Sequence, residues 1–215
     1  MKPADLTGII GSVEDLPTLP KVVLRITELV NDPGSSAREL SGVITEDQVL
    51  TARLLKLVNS SFYGFPQKIA TVTAAIVLLG FDAIRTLLLT TSIFDMFTNK
   101  NTKSRYKHED FWDHSLGCAV GAKVIGNYLR YEKVEELFVA GLLHDIGKII
   151  EMLFLTEDFD SVVSLIERKN ILIISAEEHV LGYNHAEVGK LLAQKWNLPP
   201  KLVSIIAHHH QPDLA

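Results

Sequence analysis

Cysteine is almost absent from this sequence of 215 residues, in which Cys118 is the single example. One thiol excludes a disulfide within the chain, which is typical of a reducing compartment, and we expect a cytoplasmic location. Long apolar runs are also lacking. The longest uncharged stretch, residues 69–81, has 13 residues, below the roughly 18 that a membrane span needs. No basic segment followed by an apolar one opens the chain, so we expect neither a secretory signal nor a membrane partner.

Histidine is missing from the first half of the chain and concentrated in the second. Residues 1–107 contain no histidine and carry 12 Lys/Arg against 10 Asp/Glu, whereas residues 108–215 contain all 8 histidines and carry 9 against 16. An acidic, histidine-rich half suits a bound cation and disfavours phosphate backbones. We therefore predict an N-terminal subdomain over 1–107 and a second subdomain with the site over 108–215, joined by a polar linker at 98–107.

The apolar residues recur with a helical period, and the sequence predicts an all-α fold of about ten helices. Ser36 and Glu39 have the spacing of a capping box that opens a helix. Residues 73–97 predict two buried helices hinged near Gly80. Residues 108–130 and 134–154 each predict one long helix, while 171–174 fit either a brief strand or a helix start.

The segment GLLHDIGK at 141–148 places an adjacent histidine and aspartate inside an apolar helix. Burying an imidazole beside a carboxylate costs free energy unless something pairs them. A metal ion would do so, because imidazole nitrogen and carboxylate oxygen are both transition-metal ligands. Helix ends and Lys148 offer an alternative way to satisfy His144 and Asp145.

Other histidines favour a metal site. His114 lies among apolar neighbours, with Asp110 one turn earlier on the same face. His185 opens a predicted helix. Three further histidines follow one another at 208–210, and because successive helical residues point about 100° apart, at most two of them should face one site. A hydrogen-bonded polar core is the alternative explanation.

Five motifs carry a resemblance to a known family. They are LPTLP at 16–20, LLKLVNS at 54–60, AIVLLG at 75–80, GLLHDIG at 141–147 and WNLP at 196–199. The second half resembles the HD superfamily of metal-dependent phosphohydrolases. The whole chain resembles more closely the HDOD domain (HD-related output domain) of bacterial signalling proteins, over about nine-tenths of its length. The resemblance implies an HD-domain-like helical bundle preceded by an N-terminal helical subdomain.

Similarity to the related HD-GYP phosphodiesterases implies a set of metal ligands, which would hold one or two ions of Fe, Mn or Zn. These residues are His114, His144, Asp145, His185, His209 and His210. In an active enzyme Asp145 and Lys148 would be catalytic, with Lys148 near the substrate phosphate. Two departures weigh against activity. The Gly-Tyr-Pro signature is absent, and the last acidic ligand of the superfamily would lie beyond Ala215.

Many HDOD domains are regarded as noncatalytic, and the resemblance therefore implies a bacterial signal-transduction output module that works without turnover. Its partners would be other signalling proteins or domains, or a nucleotide ligand. The alternative is a metal-dependent phosphohydrolase acting on a nucleotide or cyclic nucleotide. We do not expect nucleic-acid binding, because the weakly positive first half has no arginine cluster.

Overall fold

The computed structural model describes residues 21–60, 63–98 and 108–215, and these contain twelve α-helices, one short 3₁₀ helix and no strand. The predicted all-α class is confirmed. Five helices precede residue 100: α1 Lys21–Asn31, α2 Ala37–Thr45, α3 Gln48–Val58, α4 Val72–Leu79 and α5 Phe81–Thr98. Within this described part, no helix is both long and apolar enough to cross a bilayer.

Seven α-helices follow residue 107, and residues 171–174 contribute the start of one of them rather than a strand. They are α6 His108–Tyr128, α7 Val134–Leu143, α8 Ile146–Phe154, α9 Thr156–Lys169, α10 Ile173–Val180, α11 His185–Lys195 and α12 Pro200–His208. The 3₁₀ helix Pro212–Leu214 comes last. The predicted linker, apart from Thr98, lies outside the described residues.

The chain divides into two compact units, and the boundary falls between Met96 and Phe97, near the end of α5. We call the described residues 21–96 the first unit and 108–215 the second unit. The first unit has a continuous apolar core formed by α1 to α5, with Ile44, Leu54 and Ile84 fully buried. Burial of these apolar side chains is the main driving force for its folding.

Local signals in the first unit act as the sequence predicts. The Ser36 hydroxyl accepts a hydrogen bond from the Glu39 backbone N–H at 3.2 Å, and the Glu39 carboxylate accepts one from the Ser36 N–H at 2.8 Å. This reciprocal capping box opens α2. Gly80 separates α4 from α5 as expected. The expectation that both helices are buried is wrong for one face of α4, because Val77 and Leu78 are exposed.

The single helix predicted over 134–154 is broken in two, which corrects the sequence analysis. Helix α7 ends at Leu143 and α8 begins at Ile146, so His144 and Asp145 form the turn between them. The backbone N–H of Lys148 closes this turn on the Asp145 carbonyl at 2.9 Å. Helical periodicity alone does not reveal the break, because both halves are apolar.

Candidate metal centre

The turn between α7 and α8 fixes one imidazole in a defined tautomer. His144 Nδ1 lies 2.7 Å from the carbonyl oxygen of Gly141. Since a carbonyl only accepts hydrogen bonds, Nδ1 must carry the proton, and the neutral ring presents the lone pair of Nε2 to its surroundings. That Nε2 lies 3.3 Å from Asp145 Oδ2.

Two glycines allow the neighbouring helices to approach this turn. At Gly147, on α8, an added Cβ would overlap the carbonyl oxygen of His185, the first residue of α11. At Gly141, on α7, an added Cβ would lie 2.7 Å from the Cα of Ala119 on α6. Such spacing excludes any larger residue without a backbone shift. The glycines therefore bring α6, α7, α8 and α11 together around Asp145.

Asp145 is the centre of the site, with 1% of its surface exposed. Its Oδ2 lies 2.6 Å from Lys148 Nζ and 3.3 Å from His114 Nε2. Its Oδ1 lies 3.1 Å from His185 Nε2 and 3.4 Å from His209 Nε2. Burial alone would raise the pKa of Asp145, but the surrounding imidazoles and the Lys148 ammonium outweigh it and hold the pKa well below its usual range. The carboxylate is therefore ionised.

The histidines on the Oδ1 side also direct Nε2 toward the centre. His185 Nδ1 lies 2.6 Å from a carboxylate oxygen of Glu177, and His209 Nδ1 lies 2.9 Å from the carbonyl oxygen of Ile206. Both acceptors place the proton on Nδ1. His185 Nε2 is then 3.1 Å from His209 Nε2 and 2.9 Å from His210 Nε2.

Lone pairs converging at these distances require a cation among them. Asp145 Oδ1 is buried, and among the described residues it has no hydrogen-bond partner of acceptable geometry. Burial alone lowers the pKa of His185, but the Asp145 and Glu177 carboxylates raise it, so a proton can serve as that cation. Burial and its histidine neighbours lower the pKa of His210 to about 4, which keeps its nitrogen available as a ligand near neutral pH.

A second layer of acidic residues, which the sequence analysis did not identify, supports His185. Fully buried Glu177 on α10 accepts hydrogen bonds from both the backbone N–H and Nδ1 of His185, at 3.0 and 2.6 Å. Such a carboxylate orients a metal-binding histidine and increases its basicity. The sequence signal was available: Glu177 follows Ile173 by four residues, on a helix face that also carries buried Ala176.

Glu151, on α8, is the other fully buried carboxyl group of this layer. Neither of its oxygens has a hydrogen-bond partner of acceptable geometry in the described part of the chain. Burial and the neighbouring Glu177 carboxylate raise the pKa of Glu151 well above its ordinary value. The raised pKa favours the neutral acid form of Glu151.

All six predicted metal ligands lie together, in two groups that meet at Asp145. One group contains Asp145, His185, His209 and His210, and the other contains His114 and His144 together with Cys118; within each group the candidate ligand atoms are within 4.8 Å of one another. The sequence analysis used Cys118 only to exclude a disulfide.

Several other histidine and acidic residues of the second unit lie outside both groups. His208 does, so two of the three consecutive histidines face the site. Asp110 and His179 are exposed and belong to neither group. The predicted catalytic Lys148 is buried against Asp145 rather than directed to solvent.

The donor set fits a divalent transition metal. Imidazole nitrogens with one carboxylate oxygen are ligands that Zn, Fe and Mn accept, and the carboxylate orientation of His185 is a usual companion of such sites. The unpartnered Oδ1 of Asp145 supports the same conclusion from geometry. The described residues thus contain a His/Asp cluster that can hold a metal ion.

Comparison with solved structures identifies similar proteins. An HDOD domain protein of unknown function from Geobacter sulfurreducens is 35% identical, with a TM-score of 0.83 over 98% of this chain and 70% of its own. A protein from Shewanella amazonensis SB2B, described as "Putative phosphohydrolase", is 28% identical, with a TM-score of 0.79 over 97% of this chain and 73% of its own.

A sequence relative and the family match complete the comparison. An uncharacterized protein of Treponema pallidum (strain Nichols) is 25% identical over 94% of this chain, which spans only 39% of that relative. Residues 16–212 match the HDOD domain family as a whole. The resemblance stated from the sequence motifs is thereby confirmed, and the chain belongs to the HDOD domain family.

Proposed function

We propose that this protein is a signal-transduction output module whose Asp145 cluster binds one divalent transition metal ion and works without turnover. The observation that carries the proposal is the convergence of imidazole nitrogens on the buried Oδ1 of Asp145, which has no hydrogen-bond partner of acceptable geometry in the described part of the chain. His185, His209 and His210 would hold the ion together with that oxygen. When bound, the ion supplies the positive charge that the cluster lacks.

Lys148 is the reason to favour regulation over hydrolysis. Two-metal hydrolysis needs both ions held in a clamp on the reacting oxygens. Here the buried Lys148 ammonium lies 2.6 Å from Asp145 Oδ2, the oxygen that would bridge to a second ion. The ammonium already neutralises that side of the carboxylate. The geometry therefore supports one carboxylate-bound ion.

The positions of the ligands indicate how an ion would regulate. Asp145 lies between α7 and α8, His185 begins α11, and the paired histidines follow the last turn of α12. One ion would join these three places. Its loss would leave the Nε2 atoms of His185, His209 and His210 facing one another at 2.9–3.1 Å without a cation between them. Metal binding would thus make α11 and α12 more ordered, and with them the surface that binds partner signalling proteins or domains.

A metal-dependent phosphohydrolase acting on a nucleotide or cyclic nucleotide is the second candidate. The cluster is open to solvent on two sides, because the His114 side chain is 52% exposed and His210 is exposed. A small phosphate ester has access through these openings. The Shewanella protein described as a phosphohydrolase shares this fold at 28% identity.

One experiment separates the two candidates. Protein loaded anaerobically with Mn²⁺, Fe²⁺ or Zn²⁺ is assayed against cyclic dinucleotides, cyclic mononucleotides and nucleoside triphosphates, with Asp145→Asn as the control. We expect bound metal and no turnover above background. A rate above about 1 per second, in the ordinary enzyme range, that Asp145→Asn abolishes would establish the hydrolase instead.

A further inference from the structure

The Oδ2 side of Asp145 carries a second group of candidate ligands, and one of them is a thiol. Cys118 follows His114 by one turn of α6, and its Sγ lies 3.7 Å from His114 Nε2. The ligand atoms of His114, Cys118 and His144 all lie within 4.8 Å of one another. The separation of 3.7 Å is close to the edge of a tetrahedron whose bonds have the length of Zn–N and Zn–S bonds, about 2.0 and 2.3 Å.

The packing of α7 on α6 produces this arrangement. A Cβ at Gly141 would lie 2.9 Å from the backbone carbon of Cys118, so only glycine lets the two helices meet here. The same Gly141 offers its carbonyl oxygen to His144 Nδ1 and so turns Nε2 toward the thiol side. The two rings of His114 and His144 have their centroids 5.3 Å apart. His114 and Cys118 thus lie one turn apart on α6, and His144 lies in the turn that follows α7.

We propose that Cys118 is a further metal ligand, which joins the expected ligands His114 and His144 in a second, thiolate-containing site that selects Zn²⁺, Co²⁺ or Fe²⁺ over Mn²⁺ and Mg²⁺. Thiolate is a soft ligand, whereas Mn²⁺ and Mg²⁺ prefer oxygen. This site goes beyond the proposed function, because its ion is not needed to hold Asp145 Oδ1. The exposure of His114 gives an ion a route from solvent.

Two features make the second site weaker than the first. The Lys148 ammonium lies near it, 2.6 Å from the Asp145 Oδ2 that contacts both imidazoles, and repels an incoming cation. Burial raises the pKa of the Cys118 thiol, so the ion must displace a proton. Binding of the second ion should therefore follow that of the first.

Anaerobic titration with Co²⁺ tests the proposal, because thiolate coordinated to cobalt gives a charge-transfer absorption band in the near ultraviolet that imidazole and carboxylate do not. The wild type should show this band only with the second equivalent of Co²⁺. Cys118→Ser and Cys118→Ala should lose the band and the second equivalent while they keep the first. His114→Ala should lose the charge-transfer band and the second equivalent of Co²⁺. His179→Ala changes an exposed histidine outside both groups and should leave the titration unchanged.

Thiol alkylation gives a second readout that does not depend on spectroscopy. Zn²⁺ at saturating concentration should slow alkylation of Cys118 by at least about tenfold, because a coordinated thiolate is no longer free to react. Mn²⁺ should fill the first site and leave the alkylation rate unchanged. Equal rates with and without Zn²⁺, or a Cys118→Ser variant that keeps two equivalents of Co²⁺, would overturn the second site.

The result also distinguishes this site from the first. If the wild type binds one equivalent of metal without a charge-transfer band, the thiolate site is wrong and the Asp145 Oδ1 site stands. If the wild type shows the band with its first equivalent, and Asp145→Asn does not change it, the thiolate site stands and the Oδ1 site is wrong.

Discussion

The two units have the same helical construction but different cores. The core of the first unit is an apolar cluster, and its buried polar residues among those described are Thr27, Arg85 and Ser92. The second unit buries more polar residues, which are Ser115, Asp145, Lys148, Glu151, Glu177 and His185. Among the described residues, the buried carboxylate oxygens without a hydrogen-bond partner of acceptable geometry all lie in the second unit: Asp145 Oδ1, both oxygens of Glu151 and Oε1 of Glu177.

This difference indicates that the core of the first unit serves stability, whereas the polar core of the second unit serves metal binding. A buried polar atom left unpaired costs about 1–3 kcal/mol, so the second unit retains groups that lower its own stability. An ion or a proton at Asp145 recovers part of that free energy. Substitutions in the first unit should therefore change folding alone, and substitutions in the second unit should change metal affinity.

The largest effect should come from the apolar core of the first unit. Leu54 is fully buried, and Leu54→Ala should lower the free energy of unfolding by about 2–5 kcal/mol, because it removes apolar contacts and leaves a cavity. Urea denaturation measures this loss. Metal content per folded chain should be unchanged. A Leu54→Ala protein that remains folded but loses its metal would show that the two units are not functionally separate.

Glu177→Gln should weaken metal binding by about 10–100-fold, because the neutral amide no longer increases the basicity of His185. Isothermal titration with Zn²⁺ measures the dissociation constant. Glu178→Gln, at the exposed neighbouring position, is the matched control and should bind Zn²⁺ as the wild type does. Equal affinities of the Glu177 and Glu178 variants would mean that the Glu177–His185 hydrogen bond does not support a metal ligand.

A pair of helix caps sharpens the comparison further. Ser36 caps α2 in the first unit, and Asn184 caps α11 by accepting from the N–H groups of Ala186 and Glu187. Ser36→Ala and Asn184→Ala should each cost about 1 kcal/mol of stability. Only Asn184→Ala should also weaken metal binding, because α11 begins with His185. Equal metal affinity in the two variants would show that the Asn184 cap does not affect the position of His185 in the site.

Glu151→Gln should have the smallest effect on metal affinity, since glutamine resembles the neutral acid. The substitution should instead change how the stability of the protein depends on pH. The raised pKa of Glu151 in the folded chain means that the wild type loses stability as pH rises above the ordinary value of 4.5 toward the raised one. The glutamine variant lacks that loss.

The comparison of Glu151→Gln with the wild type is made on metal-free protein, by urea unfolding between about pH 5 and 8. This difference isolates Glu151 from the charged groups near it, which are Glu177, Lys148 and Asp145. The stability of Glu151→Gln relative to the wild type should increase with pH. A difference that is flat or that falls with pH would mean that Glu151 is ionised in the folded chain.

Local chemistry determined which features could be predicted from sequence. The capping box at Ser36 and the break at Gly80 depend on neighbours along the chain, and both were predicted correctly. The six candidate ligands were predicted from the family resemblance, with His144 and Asp145 also conspicuous within an apolar segment, and the structure brings them together in two groups. The break at His144 was not predicted, since it depends on the close approach of α11 to Gly147.

Contacts between distant segments account for the residues that sequence reasoning missed. Glu177 acts through His185, eight positions along the chain, and Glu151 acts through Glu177 from another helix. Cys118 acquires neighbours only when Gly141 lets α7 approach α6. Periodicity places each of these residues on a helix face, but it does not show which other helix that face meets.

Metal binding at Asp145 is the central claim, and equilibrium dialysis against Mn²⁺ under anaerobic conditions tests it most directly. Mn²⁺ is chosen because it should fill the Oδ1 site without the thiol. We predict close to one ion per chain for the wild type and an affinity at least about 100-fold lower for Asp145→Asn. This loss should exceed that of Glu177→Gln, because Asp145 is itself a ligand whereas Glu177 only orients one. A wild type with no bound Mn²⁺, Zn²⁺ or Fe²⁺, or an Asp145→Asn variant that binds as tightly as the wild type, would contradict the account.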